Sequence, residues 1–171
     1  MTVSVAVTGM GAVTGHGLGC ERFWSAIESG SSCIRPIERF STDGFKVKLG
    51  AQLGSRYFTD ADGADGPELG FTMAVMAGRE AWDQAGLSTR EVAPGRIAIV
   101  LGSGLGDEGD GLHRLTEKVA DHLGIAGPRL TISTACCSST NALGVGRELL
   151  ADGSADAVLA GGVDVLTPEV F

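Results

Sequence analysis

Residues Leu130–Gly162 read LTISTACCSSTNALGVGRELLADGSADAVLAGG, and this stretch decides the fold. Leu130–Ala135 is short, apolar and bounded by turn residues, which predicts a buried strand. Ser138–Ala151 is a run of small and aliphatic residues long enough for a helix, and Ala157–Ala160 is a second apolar run stopped by Gly161-Gly162. A strand, a helix and another strand in this order form a βαβ unit. Its strands run parallel and read as continuous apolar runs because both faces are covered.

The same alternation extends toward the N-terminus. Arg96–Leu101 (RIAIVL) is a further buried strand, followed by Gly102, Gly104 and Gly106 and then by a helix over Gly111–Leu123 that ends at Gly124. Phe71–Ala85 carries Phe71, Ala74, Val75, Gly78, Ala81, Trp82 and Ala85 on one helical stripe, with Gly86 at the C-cap position. Glu21–Ser29 places Phe23, Trp24 and Ile27 at helical spacing before Gly30, so Trp24 and Trp82 are both expected in the core. Val3–Val7 reads as a fourth buried strand running into Gly9-Met10-Gly11. Residues 31–68 are irregular, with a short strand near Phe45–Leu53. Four strands alternating with helices predict one α/β domain over residues 1–171, a mostly parallel sheet with helices on both faces.

Composition narrows the function. Of 171 residues, 43% are apolar, enough for a sizeable core, and a net charge of −8 disfavours nucleic-acid binding and docking on an anionic membrane. No window of 18 consecutive apolar residues exists, and Met1–Val13 lacks the basic start and long apolar run of a signal peptide, so the expected setting is the reducing cytoplasm. Gly9-Met10-Gly11 after a strand invites a dinucleotide-binding reading. The third glycine of that fingerprint would fall at position 14, which is Thr14. Cys20, Cys33, Cys136 and Cys137 have no CxxC spacing, and His16, His113 and His122 form no metal motif.

In open α/β sheets the working groups gather at the carboxyl ends of the strands. There the turn Thr134-Ala135-Cys136-Cys137 offers chemistry. A cysteine between a strand and a helix start faces unpaired N–H groups and the positive end of the helix dipole, which favour a thiolate. Such a thiolate accepts acyl groups, and the adjacent backbone N–H can face a developing oxyanion. The bland reading is that Cys136 and Cys137 are small fillers of a tight turn. Spacing alone does not choose between the two cysteines.

The ordered motifs carry a family resemblance. Ser133-Thr134-Ala135-Cys136-Cys137-Ser138-Ser139 resembles the "TAC-x-S" segment of β-ketoacyl-acyl-carrier-protein synthases, condensing enzymes with the thiolase fold. Val7–Thr14 is similar to their "VTGxGxVT" opening. Glu21–Ile27 with Gly30–Ile34 is similar to "FWxxLxxGxSGI", and Arg79–Leu87 to "REAxxDAGL". Ile125–Pro128 resembles "LRGP", and Asp156–Asp164 resembles "DxxxAGGxD". The resemblance covers nearly the whole chain.

It implies a thiolase-like fold of which this chain is the N-terminal half, and it assigns the acyl-bearing cysteine to Cys136, directly after Thr-Ala. It also implies a decarboxylative Claisen condensation with a malonyl-type extender, in fatty-acid or polyketide synthesis, with acyl carrier protein as partner and no cofactor or metal. Family members are about twice as long, and their two catalytic His and one Lys lie in the second half. None of His16, His113 and His122 matches those positions. An uncompleted sheet leaves an open strand edge and an uncovered apolar helix, which natural proteins avoid. A second polypeptide carrying the C-terminal half is therefore expected, together with a dimer or pseudo-dimer through the strand Leu130–Ala135. Asp107–Asp121 is shorter and more charged than its family counterpart, which points to a remodelled pocket wall. Two relatives share the fold: a non-catalytic chain-length partner, which would usually have replaced Cys136, and a thiolase or starter-type synthase.

Overall fold

The computed structural model describes residues 4–54, 57, 68–87, 92–104 and 111–171. In chain order its elements are β1 (Val13–Thr14), β2 (Gly17–Leu18), α1 (Cys20–Ser29), β3 (Ile34–Pro36), β4 (Leu49–Ala51), α2 (Leu69–Ala85), β5 (Ile97–Gly102), α3 (Leu112–Leu123), β6 (Arg129–Ile132), α4 (Ser138–Ala151) and β7 (Ala157–Gly162). β5 is the centre of a parallel sheet of order β6-β5-β7, with Ile99 opposite Arg129 on one side and Leu159 on the other. β1 pairs with β2 and β3 with β4, each antiparallel. Of the expected strand Phe45–Leu53, only Leu49–Ala51 forms one.

The alternation of β5 sorts the layers. Ile97, Ile99 and Leu101 point into a cluster with Val75 of α2 and Leu115, Val119 and Ala120 of α3, closed by Ile125 and by partly buried Trp82. Ala98, Val100 and Gly102 point the other way, toward α4, where Ser138, Ala142 and Gly146 are buried at every fourth position. Helices thus cover both faces. Each fully buried Ile, Leu or Val of the cluster contributes about 1.5–3 kcal/mol. At the strands' amino ends, Arg96 grips Asp156 with two hydrogen bonds of 2.6 and 3.1 Å and also reaches the carbonyls of Gly153 and Ser154, tying β5 to β7. α1, α2 and α3 stop at Gly30, Gly86 and Gly124, all left-handed, where the sequence placed their ends.

Two expectations fail. The predicted buried strand Val3–Val7 is not a strand where it is described: Val5 is 42% and Val7 81% exposed. This segment docks by its glycines on α2. A Cβ on Gly9 would lie 1.9 Å from the Ala81 carbonyl oxygen, and one on Gly11 equally close to that of Ala77. Met10 N–H donates to Gln84 and Ala12 N–H to Glu80. Between the segment and β7 lies a cleft of about 480 Å³ lined by Val5, Thr8, Trp82, Val158 and Leu159, so no ladder forms across it. Because a hairpin rather than a helix follows Gly11, the dinucleotide fingerprint also lacks its structural context.

The second failure is Trp24, which is 60% exposed beside Ile27 at 52%. Only Ala26 of α1 is buried, because no described element packs on the outer stripe of α1. Of the charged stretch Asp107–Asp121, residues 107–110 lie outside the described residues and Leu112 onward belongs to α3.

Candidate active site

The strand predicted over Leu130–Ala135 ends earlier, at Ile132, and Ser133–Cys137 make the turn into α4 with Cys137 as its N-cap. Ala135 has φ of 53°, the one described non-glycine residue in the left-handed region. That conformation costs an L-residue about 1–2 kcal/mol, so the turn is a strained elbow held by its surroundings.

The hold is visible. Ser138 Oγ accepts from the Thr134 N–H at 2.9 Å and donates to the Ala135 carbonyl at 2.7 Å, while Asn141 Nδ2 donates to Thr134 Oγ1 at 2.8 Å. Cys137 N–H and Ser138 N–H return to the carbonyls of Thr134 and Ala135. Cys136 sits at the elbow's tip. It and Cys137 are exposed, whereas Cys20 and Cys33 are half-buried. Partial burial, and next the Glu80 carboxylate, push the Cys20 thiol above its ordinary range, which suits a bystander.

Two glycines form the floor. A Cβ on Gly102 would lie 2.4 Å from the Ser138 carbonyl carbon, and one on Gly162 would lie 1.9 Å from Ser139 Oγ. The first turn of α4 therefore rests directly on the ends of β5 and β7. Gly161, which the sequence grouped with Gly162, meets nothing within 4 Å. The strand ends are bound together: Ser103 N–H donates to Ile132, Val163 N–H to Gly102, and the Asp164 carboxylate accepts from both Ser103 Oγ (3.0 Å) and Gly104 N–H (2.9 Å). Sequence reasoning had Asp164 only as the end of a motif. The Ser138 and Asp164 links were missed, since no periodicity signals a side-chain bond across a turn.

The histidines stand apart from this constellation in the fold. His16 lies in the β1–β2 turn, His113 and His122 lie on α3, and the His122 ring meets Arg79 at 3.2 Å and the edge of Phe71. What the elbow brings together is two adjacent exposed thiols, a helix amino end and a glycine floor, an arrangement competent to carry an acyl group.

The family model of the "Beta-ketoacyl synthase, N-terminal domain" matches residues 2–119 and 113–171. The chain belongs to the beta-ketoacyl synthase family. Among its relatives, 3-oxoacyl-acyl-carrier-protein synthase 2 of Vibrio cholerae is 30% identical over 94% of this chain and 45% of its own length. The tetracenomycin polyketide synthase ketoacyl synthase alpha subunit of Streptomyces glaucescens is 27% identical over 94% of this chain and 45% of its own. The solved ishigamide ketosynthase/chain length factor superposes with a TM-score of 0.82 at 25% identity, covering 96% of this chain and 48% of that one. The architecture is thus the thiolase-like α/β fold of ketosynthases. The chain spans about half the length of the curated relatives it matches. The two matched segments overlap at residues 113–119, inside α3 and within the stretch Asp107–Asp121 that the sequence marks as shortened.

Proposed function

We propose that this chain is the nucleophile-bearing half of a ketosynthase and that Cys136 is its acyl acceptor. The thiolate attacks the carbonyl of an acyl thioester on acyl carrier protein, forming Cys136–S–acyl and releasing the carrier thiol. A malonyl-type thioester then loses CO₂, and its carbanion attacks the Cys136 thioester. The β-ketoacyl product stays on the carrier, and the Cys136 thiolate leaves. The observation that carries this reading is the exposed Cys136 at the tip of a strained elbow at the amino end of α4.

Decarboxylation falls to a second polypeptide that supplies two His and a Lys, making a heteromer of the cytoplasm that serves fatty-acid or polyketide synthesis. Three features support such a partner. The outer edges of β6 and β7 carry no ladder among the described residues. Leu143 on α4 is 56% exposed, and the outer stripe of α1 is exposed as well. A cleft lies between β7 and residues 4–9. The free edge of β6 is the surface through which a dimer or pseudo-dimer would pair. No helix among the described residues is long and apolar enough to cross a membrane.

The test is incubation of the chain with an acyl-carrier-protein thioester, alone and with a candidate second chain, followed by mass spectrometry of the peptide spanning the elbow. One acyl mass on Cys136, lost in Cys136→Ala and kept in Cys137→Ala, is expected. Acylation of Cys137 instead, or no adduct with both chains present, overturns the assignment.

A further inference from the structure

Ser138 is 3% exposed on the face of α4 that packs against the sheet, where its neighbours one and two turns on are Ala142 and Gly146. Packing at such a position asks for a small side chain, not for a hydroxyl. Yet both roles of the hydroxyl are used, and both bonds go to the two residues ahead of Cys136: it accepts from Thr134 N–H and donates to the Ala135 carbonyl. Ala135 between them has φ of 53°, which a residue with a Cβ leaves unless something holds it. Burial keeps water from replacing either bond.

We propose that Ser138 is a positioning residue for the nucleophile. By bracing Thr134 and Ala135, its hydroxyl locks the left-handed kink that puts Cys136 at the exposed tip, and Asn141 adds a second brace through Thr134 Oγ1. The inference rests on the reading of Cys136 as acyl acceptor. It names which group holds that cysteine in place, and the strain at Ala135 is the quantity the hydroxyl opposes.

The experiment uses Cys137, the adjacent exposed thiol, as an internal reference. The full chain is treated with limiting iodoacetamide, and the Cys136:Cys137 labelling ratio is read from fragment ions. A parallel arm measures acylation by a simple acyl thioester. Ser138→Ala lowers the Cys136 rate relative to Cys137 by about tenfold, the equivalent of one net buried hydrogen bond. Ser138→Thr, which keeps the hydroxyl, restores most of it. In an Ala135→Gly background the left-handed conformation is free of strain, so there Ser138→Ala has a much smaller effect. A merely structural serine would lower the melting temperature without this coupling.

Exposed Asn141→Ala moves the ratio in the same direction by about two- to threefold. This variant tests the brace even where Ser138→Ala fails to fold. An unchanged ratio in both variants, or an equal Ser138→Ala loss with Ala and with Gly at 135, overturns the proposal. Failure of the acyl arm in the unmodified chain with its candidate partner present, while the labelling ratio still responds, overturns the acyl-acceptor reading alone.

Discussion

Substituting Gly102 by alanine tests whether the elbow rests on the sheet as described. The added Cβ would lie 2.4 Å from Ser138 C, 2.5 Å from Ser139 N and 2.6 Å from Ser138 O, all backbone atoms. These separations fall about 1 Å short of the ~3.5 Å at which unstrained non-bonded heavy atoms sit. No side chain can rotate away to relieve them, so the amino end of α4 must shift off β5 or β5 must bend. Overpacking of this kind costs about 1–3 kcal/mol, and a backbone clash belongs at the upper end. For a two-state domain of this size that is a fall in melting temperature of roughly 5–10 °C.

The control is Gly144→Ala, on the same helix but with nothing within 4 Å of its added Cβ. Replacing a helical glycine there raises stability by up to about 1 kcal/mol. The assay is urea denaturation followed by circular dichroism, with the Cys136 labelling rate recorded on the same samples. Gly102→Ala lowers both the midpoint and the Cys136 rate, whereas Gly144→Ala lowers neither. A Gly102→Ala protein as stable as the parent and equally reactive would refute the glycine floor and with it the geometry of the elbow.

The two tryptophans separate in the same way. Trp82→Ala, at a partly buried site packed on the central cluster, lowers the unfolding free energy by about 2–3 kcal/mol, while Trp24→Ser, at an exposed site, changes it by no more than about 0.5 kcal/mol. The Arg96 guanidinium, first by its hydrogen bonds and then by its charge, holds the Asp156 carboxyl below its ordinary range. The folded state therefore binds that proton less readily than the unfolded chain. The stabilisation is complete above the unfolded value and is lost as the pH falls through the folded one. The midpoint deficit of Asp156→Asn relative to the parent should accordingly be constant near neutrality and shrink below about pH 4. A deficit independent of pH would show that the pair contributes nothing through charge.

The βαβ half of the molecule was legible from residue order because its signals are local. IAIVL (Ile97–Leu101) has no polar position, so it belongs between two covered layers, and β5 is buried along its whole length. Helix ends were marked by glycines whose backbone is left-handed in the fold. The location of Cys136 followed from where an apolar run gives way to a helical one. The geometry that makes this location useful was not legible. Neither the positive φ of Ala135 nor the two hydrogen bonds of Ser138 Oγ leave a trace in periodicity, since both are features of a turn and not of a repeating element.

The two misread segments have a common cause. Residues 4–8 alternate Val and small residues as a strand should, and the Phe23-Trp24-Ile27 stripe has the spacing of a buried helix face. Apolar patterning, however, reports that a surface is suited to burial, and burial itself needs a second surface. Among the described residues no second surface covers Val7, Trp24, Ile27 and Leu143. Exposed apolar surface of this extent is disfavoured on a solitary soluble domain. The cleft between β7 and residues 4–8, lined by Val5, Thr8, Val158 and Leu159, is one such unfilled surface. The pattern that failed to forecast the exposure of this segment thus agrees with a match to about half the length of the relatives.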